Sequence, residues 1–299
     1  MGDDRTRDSR SRHRRRCRGT AGRRGHRRHR RRSAGRDVHV RECRPLLLPT
    51  AGEALRPARR HGAAPLVSTR RDQLAAGLAS VGRRIEAAAQ AAGRSPTSIT
   101  LVVVTKTFPA ADVQLLAELG VTDVGENRHP EARDKAAAVA APLTWHFVGG
   151  LQTNKARAVA GYADLVHSVD RERLVDALAD GASRAGRHLD CLVQVSLDPP
   201  GAADSRSGAK VDEVPALTDQ IAAAEALRLR GVMAVAPLAA DPARAYARLA
   251  EVAASVQAAH PTALAVSAGM SGDLEAAVAV GATHVRIGRA ILGERPPNR

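Results

Sequence analysis

Lys106 follows the most apolar run of the chain, Ile99-Thr-Leu-Val-Val-Val-Thr105. An ammonium at the end of a buried strand is partly stripped of water, which pushes it toward the neutral amine. A neutral amine adds to an aldehyde and forms a Schiff base. The plainer reading is a lysine snorkelling out of a strand end. Much later comes Ser267-Ala-Gly-Met-Ser-Gly-Asp-Leu274, a short polar turn that opens a helix. Its glycines permit close backbone approach, the helix start offers free N–H groups, and Ser267 and Ser271 add hydroxyls. Val285-Arg286-Ile287-Gly288 then supplies a guanidinium and another glycine. The plainer reading here is that Ser271 caps its helix and Arg286 pairs with an acid. Two phosphate-compatible loops together with an amine suited to an aldehyde imply pyridoxal 5′-phosphate, the common cofactor that needs both.

Further polar residues stand where apolar runs end: Glu126-Asn127, His146 with Gly149-Gly150, Ser168 and Met233. His146, within Trp145-His146-Phe147, reads either as a general base or, on a buried strand, as a core histidine with its hydrogen bonds satisfied. Leu151-Gln-Thr-Asn-Lys155 opens a helix and reads equally as a solvated first turn or a ligand segment.

The elements that must position these groups follow from periodicity. Leu74, Leu78, Val81 and Ile85 mark one face of a helix over Arg71–Ala92, closed by Gly93. Strands are expected at Ile99–Val104, Asp123–Gly125, Leu143–Val148, Leu165–Val169, Cys191–Leu197, Leu229–Val235, Leu264–Ser267 and His284–Ile287. Helical segments fill 109–119, 128–140, 153–160, 171–186, 211–225, 241–259 and 272–280, with Pro109 at a first turn and Asp170 placed to cap. Such alternation means parallel βαβ units. A doubly wound sheet fits it too, but eight strands in about 230 residues is the size of a (β/α)8 TIM barrel, whose chemistry gathers where strands end.

The formal charge of +15 is unevenly spread. Residues 1–70 hold 22 Arg, no Lys and 6 acidic residues, or +16, whereas residues 71–299 hold 24 basic and 25 acidic residues, or −1. The expected organisation is a disordered Arg-rich N-terminal tail over 1–70 and a barrel over 71–295. A basic arm could neutralise nucleic-acid phosphates, but no Tyr, Phe or Trp is interleaved to stack on bases. Its Arg, Gly, Ala, Pro and His are encoded by GC-rich codons, so the segment reads as an over-extended start, and nucleic acid is not the expected partner. No stretch has the roughly 18–20 consecutive apolar residues of a membrane helix. Cys17, Cys43 and Cys191 form neither a disulfide framework nor a zinc pattern, so a cytoplasmic location and no metal are expected.

Taken together, several segments resemble the pyridoxal phosphate homeostasis protein family, itself similar to the barrel domain of alanine racemase. They are Val104-Thr105-Lys106-Thr107, Gly125-Glu126-Asn127, Trp145-His146-Phe147 with Gly149, Leu151-Gln152 with Asn154-Lys155, Leu229-Arg230-Gly231-Val232-Met233, Ser267 with Gly269-Met270-Ser271 and Asp273, and Val285-Arg286-Ile287-Gly288. The resemblance implies a monomeric or weakly associating barrel that carries the cofactor on Lys106. It also implies a phosphate near Ser267, Ser271, Arg286 and Gly288, with Asn127 and Met233 close to the ring. It implies buffering of the cofactor, or its delivery to apo forms of enzymes that use it, rather than turnover. Three positions depart from the family pattern: Arg128 replaces an aromatic, Arg289 a hydroxyl residue, and Ser205-Arg206-Ser207-Gly208 stands where a lysine is usual.

The alternative is an amino-acid racemase using the same cofactor. Racemisation needs a second proton-transfer group opposite the lysine. Aromatic residues are scarce, and the two tyrosines, Tyr162 and Tyr246, fall in helical segments away from strand ends, leaving His146 as the candidate. A carrier needs no such group.

Overall fold

A computed structural model describes residues 68–198, 207–238 and 240–294; the tail over 1–67 and Ser205-Arg206 lie outside the described residues. The chain opens with α1 (Arg70–Ala91), and eight strands follow: β1 (Thr100–Val104), β2 (Asp123–Glu126), β3 (Thr144–Phe147), β4 (Leu165–Val169), β5 (Leu189–Gln194), β6 (Leu227–Met233), β7 (Ala265–Ser267) and β8 (His284–Ile287). Between them lie α2 (Ala110–Glu118), α3 (His129–Ala138), α4 (Thr153–Ala160), α5 (Glu172–Arg184), α6 (Val214–Ala223), α7 (Pro242–Ala259) and α8 (Leu274–Ala279), and α9 (Arg289–Leu292) closes the order. All strand pairings are parallel, each strand pairs with its sequence neighbour, and β8 returns to β1 to close the barrel.

The alternation of side chains along each strand sorts them into two layers. Val103, Val285 and Ile287 face outward, where they meet Leu74, Val81 and Ile85 of α1 and Leu116 of α2. Burying each of these side chains contributes about 1.5–3 kcal/mol. On the far side of the barrel, outward residues of β4, β5 and β6 pack on α5, α6 and α7, with Leu174, Leu178, Ile221, Tyr246 and Leu249 fully or almost fully buried. The inner layer is mixed. Leu165, Leu192 and Met233 form an apolar cluster, and polar groups from β2, β3, β4, β7 and β8 fill the remainder.

The elements match the periodicity, with local differences. The first helix begins at Arg70, where Thr69 and Asp72 form a reciprocal capping box, and Arg70 reaches across to Asp112 of α2. β5 starts at Leu189 and stops at Gln194; Val195 still donates to the Met233 carbonyl of β6 and forms an isolated bridge with Ala209. Asp170 does not cap α5; its carboxylate pairs with the Arg171 guanidinium, and Arg171 is the N-cap residue. The short α9 has no counterpart in the sequence reading. Among the described residues no helix is long and apolar enough to cross a membrane.

Candidate cofactor site at the mouth of the barrel

Lys106 lies in the turn that leaves β1 and is half-buried. Its neighbour Thr107 has φ +70°, a left-handed conformation that a β-branched residue adopts only under strain. A buried ionic cluster holds this turn. The Lys135 ammonium, on α3, donates to the Thr105 carbonyl at 2.7 Å, to Glu126 Oε1 at 2.7 Å and to Glu131 Oε1 at 2.6 Å. Thr105 Oγ1 donates to the same Glu126 oxygen at 2.6 Å, and the Thr107 amide donates to the same Glu131 oxygen. Burial pushes the Glu126 carboxyl above its ordinary range, and Lys135 and Thr105 pull in the opposite sense. The residues on both sides of Lys106 are therefore fixed from behind by charge pairing.

Asn127, next after Glu126, ends in a buried Oδ1 without a hydrogen-bond partner. Gly149 presses on it: a Cβ at Gly149 would stand 2.5 Å from both Asn127 Cβ and Asn127 O, so the β3–α4 loop can lie there only with glycine. Met233 closes β6 at 2% exposure, packed on Leu165 and Leu192 and in register with Ser267.

The strand that closes the barrel against β1 carries Arg286, a guanidinium on β8 that is 5% exposed. Its Nη1 donates to Ser267 Oγ at 2.6 Å and its Nη2 to the Ala234 carbonyl at 2.8 Å. Among the described residues no carboxylate pairs with it, so the expectation of an acid partner is not met. Burial lowers its pKa, while the more distant Tyr246 and Asp273 oppose that shift. A buried cation without a counter-ion is costly, and an anion at the mouth removes that cost. Ser271 does not cap α8; Asp273 takes the N-cap position, accepts from the Met270 amide, and receives the Tyr246 hydroxyl at 2.9 Å. Arg84 fixes the Ser271 carbonyl at 2.9 Å. Gly288 lies against β1, where a Cβ would meet the Val104 carbonyl at 3.1 Å, so barrel closure brings the Arg286 strand beside the Lys106 strand. Arg289 is exposed at the start of α9.

Behind Arg286 a line of hydrogen bonds crosses the barrel. His167 Nδ1 and Ser267 Oγ are 2.9 Å apart, His146 Nδ1 and His167 Nε2 2.8 Å, and His146 Nε2 and Asp123 Oδ1 2.9 Å. His146 is thus a satisfied core histidine with both nitrogens engaged, the plainer of its two readings. Burial drives His167 well below its ordinary value, reinforced by His146, Arg286 and His284. The Asp123 carboxyl is held low by bonds from His146 and Thr122 against the opposing effect of burial.

The structure therefore brings Ser267 and Arg286 into contact, places Met233 in register with Ser267, and sets Lys106 and Asn127 at the ends of adjoining strands. The sequence reading missed Lys135, Glu131, His167 and Asp123. The spacing of Glu131 and Lys135, four apart on one helix face, was an available signal. It also set Tyr246 away from strand ends; Tyr246 does lie on α7, but its hydroxyl accepts from the Gly269 amide at 3.3 Å in the loop after β7.

An amine after one strand, a buried guanidinium without a carboxylate partner on the strand beside it and a closed parallel barrel are the features of a class of phosphate-cofactor barrels. The family described as "Alanine racemase, N-terminal domain" matches residues 77–296. The alanine racemase of Corynebacterium glutamicum superposes with a TM-score of 0.56 at 15% identity, over 74% of this chain and 60% of that one, a likeness of fold alone. The pyridoxal phosphate homeostasis protein of Mycobacterium tuberculosis is 43% identical over 246 residues, 76% of this chain and 94% of that protein. PipY of Synechococcus elongatus, solved with PLP bound, is 32% identical with a TM-score of 0.65, over 74% of this chain and all of that one. The chain belongs to the pyridoxal phosphate homeostasis protein family.

Proposed function

We propose that this protein binds pyridoxal 5′-phosphate at the barrel mouth and serves intracellular homeostasis of the cofactor, holding it on Lys106 and buffering or delivering it. The observation that carries the reading is Arg286, a buried guanidinium with no carboxylate beside it. The residues fit the group: Arg286, Ser267, Ser271 and Gly288 suit its phosphate, and Asn127, with its unpartnered oxygen, and Met233 suit the ring side. When bound, the cofactor supplies an aldehyde for covalent capture by the Lys106 amine and a dianionic phosphate for the guanidinium. The protein's own part is positional. Lys135, Glu126 and Glu131 fix the backbone around Lys106, and Ser267 and Ala234 aim the guanidinium. The relative solved with PLP bound supports the same reading.

In this proposal the protein works in the cytoplasm as a monomer or weak dimer and passes the cofactor to apo-enzymes that need it. Racemisation is not favoured, because both ring nitrogens of His146 are engaged inside the barrel. The test is an absorbance spectrum of the purified protein supplied with cofactor. A band at roughly 410–430 nm is expected, and Lys106→Ala should abolish it. No such band in the unaltered protein would overturn the proposal. Interconversion of alanine enantiomers at roughly 1 s⁻¹ or faster would replace the carrier reading with the racemase one.

A further inference from the structure

Thr107 carries two unfavourable features at once, and it stands next to Lys106. The first is its backbone. The Phe108 amide donates to the Thr105 carbonyl at 3.1 Å and closes a turn with Lys106 and Thr107 as its central residues. A φ of +70° at the second central residue is the geometry that glycine or asparagine normally fills. Every other positive-φ position among the described residues is a glycine, so Thr107 alone takes such a conformation with a branched Cβ. The second feature is its side chain. The Thr107 hydroxyl oxygen is buried and has no hydrogen-bond partner. A buried hydroxyl left unbonded costs stability, and a glycine here would remove both costs.

The surroundings hold this arrangement instead of letting it relax. Glu131 accepts from the Thr107 amide, and Lys135 fixes both Glu131 and the Thr105 carbonyl. On the other side Phe108 is 7% exposed, in the cluster with Leu74 and Leu116, and the Arg70 guanidinium lies 5.7 Å from its ring centre. The turn is pinned at both ends, and strain persists where neighbours over-determine it, above all at ligand sites. Asn127, whose Oδ1 is also buried without a partner, follows β2, and β2 pairs with β1 through Val104 and Gly125. Two unsatisfied oxygens therefore lie on the neighbouring loops that leave β1 and β2. They differ in kind: an amide oxygen only accepts, whereas a hydroxyl also donates.

We infer that Thr107 is a further cofactor-binding residue: its hydroxyl donates a hydrogen bond to an acceptor atom of the aldehyde cofactor captured at Lys106. The strained backbone is kept because it holds the hydroxyl for that bond. The inference rests on the reading of Lys106 as the cofactor's point of attachment. The hydroxyl is unsatisfied in the free protein and gains its partner on loading, so the cost carried by the free protein returns as affinity.

The test compares the full chain with Thr107→Val, which keeps the branched shape and removes only the hydroxyl, and with Thr107→Ser, which keeps the hydroxyl. Free Thr107→Val should melt at or above the temperature of the unaltered chain, since no bond is lost. Its retention of pyridoxal 5′-phosphate in equilibrium dialysis should fall about tenfold, the scale of one buried hydrogen bond. Thr107→Ser should bring retention back to within about threefold of the unaltered protein. Retention by Thr107→Val equal to that of the unaltered protein overturns the inference, as does a Thr107→Ser that binds as weakly as Thr107→Val. A lowered melting temperature of free Thr107→Val also overturns it, because the hydroxyl would then be bonded within the fold. An unaltered protein that shows no visible band with cofactor overturns the Lys106 reading as well; a band with equal retention in Thr107→Val overturns the role of Thr107 alone.

Discussion

Two buried cations flank the barrel mouth, and they are treated in opposite ways. Lys135 is met by two carboxylates and a carbonyl. Arg286, equally withdrawn from water, has a hydroxyl and a carbonyl. Desolvating a charge costs several kcal/mol unless an opposite charge compensates. Lys135 is compensated within the fold and is therefore a structural ion. Among the described residues Arg286 has no such counter-charge, and in the proposed function an anion from outside compensates it. Burial alone does not separate a structural charge from a functional one; the presence or absence of a counter-charge does.

The largest expected effect falls on the compensated side. Lys135→Met leaves Glu126 buried without its cation and should lower the unfolding free energy by about 3–5 kcal/mol in a denaturant titration. Adding Glu126→Gln to the same chain should return part of that loss, since the stranded charge is gone. A loss below about 1 kcal/mol for Lys135→Met would remove the distinction between the two cations. Arg286→Met should behave in the reverse manner. Cofactor retention, measured by equilibrium dialysis, should fall roughly 100-fold, the scale of losing a charge-assisted bond pair. The unfolding free energy should change by less than about 1 kcal/mol, because an uncompensated buried charge is removed. A collapse of stability in Arg286→Met would mean that the guanidinium holds the barrel together rather than waiting for a ligand.

The barrel was legible in the sequence, and the two groups proposed to hold the cofactor were singled out there, because both depend on local patterns. Apolar runs of four to seven residues separated by helical faces give eight βα units, and Lys106 and Arg286 announce themselves by following or ending such runs. The supporting network was not legible, because it joins residues distant in the chain. His167 and Ser267 are 100 positions apart, and nothing local in Leu165–Val169 tells which nitrogen of His167 meets what. Whether Arg286 pairs with an acid depends on where distant carboxylates such as Asp273 come to lie, which no local pattern gives. The short α9 escaped for another reason: four residues carry too little periodicity to register, and its formation depends on packing of Ile291 and Leu292 in the same cluster as Leu74 and Val81.

Acid should expose the imbalance between the two sides. Burial, with His146 beside it, brings the His284 imidazole down to about 4 from its ordinary 6.5, against the pull of Asp123. The folded protein therefore keeps this ring neutral where the unfolded chain protonates it. The stability it contributes is complete above pH 6.5 and is lost as the pH falls from 6.5 toward 4, by about 1 kcal/mol per pH unit. His284→Gln should flatten that slope in unfolding measurements between pH 6.5 and 5. An unchanged slope would place the acid sensitivity elsewhere and weaken the view that the Arg286 side is the charge-strained half.

The smallest effect concerns how the anion side is shaped. Tyr246 is fully buried, and its hydroxyl donates to Asp273 at 2.9 Å while accepting from the Gly269 amide at 3.3 Å. Asp273 also accepts from the Met270 amide, so one phenol and one carboxylate together hold the Gly269-Met270-Ser271 turn against α7 and α8. This is a neutral donor backed by an acid, the arrangement that Arg286 lacks. Tyr246→Phe keeps the ring packing and removes only the hydroxyl, so it should cost about 1 kcal/mol of stability. Losing the tether also lets the Ser271 turn move relative to Arg286, and cofactor retention should fall by a few-fold, far less than for Arg286→Met. If Tyr246→Phe weakened retention as strongly as Arg286→Met, the loop rather than the guanidinium would dominate anion binding. The contrast between a paid and an unpaid charge would then no longer explain where the ligand sits.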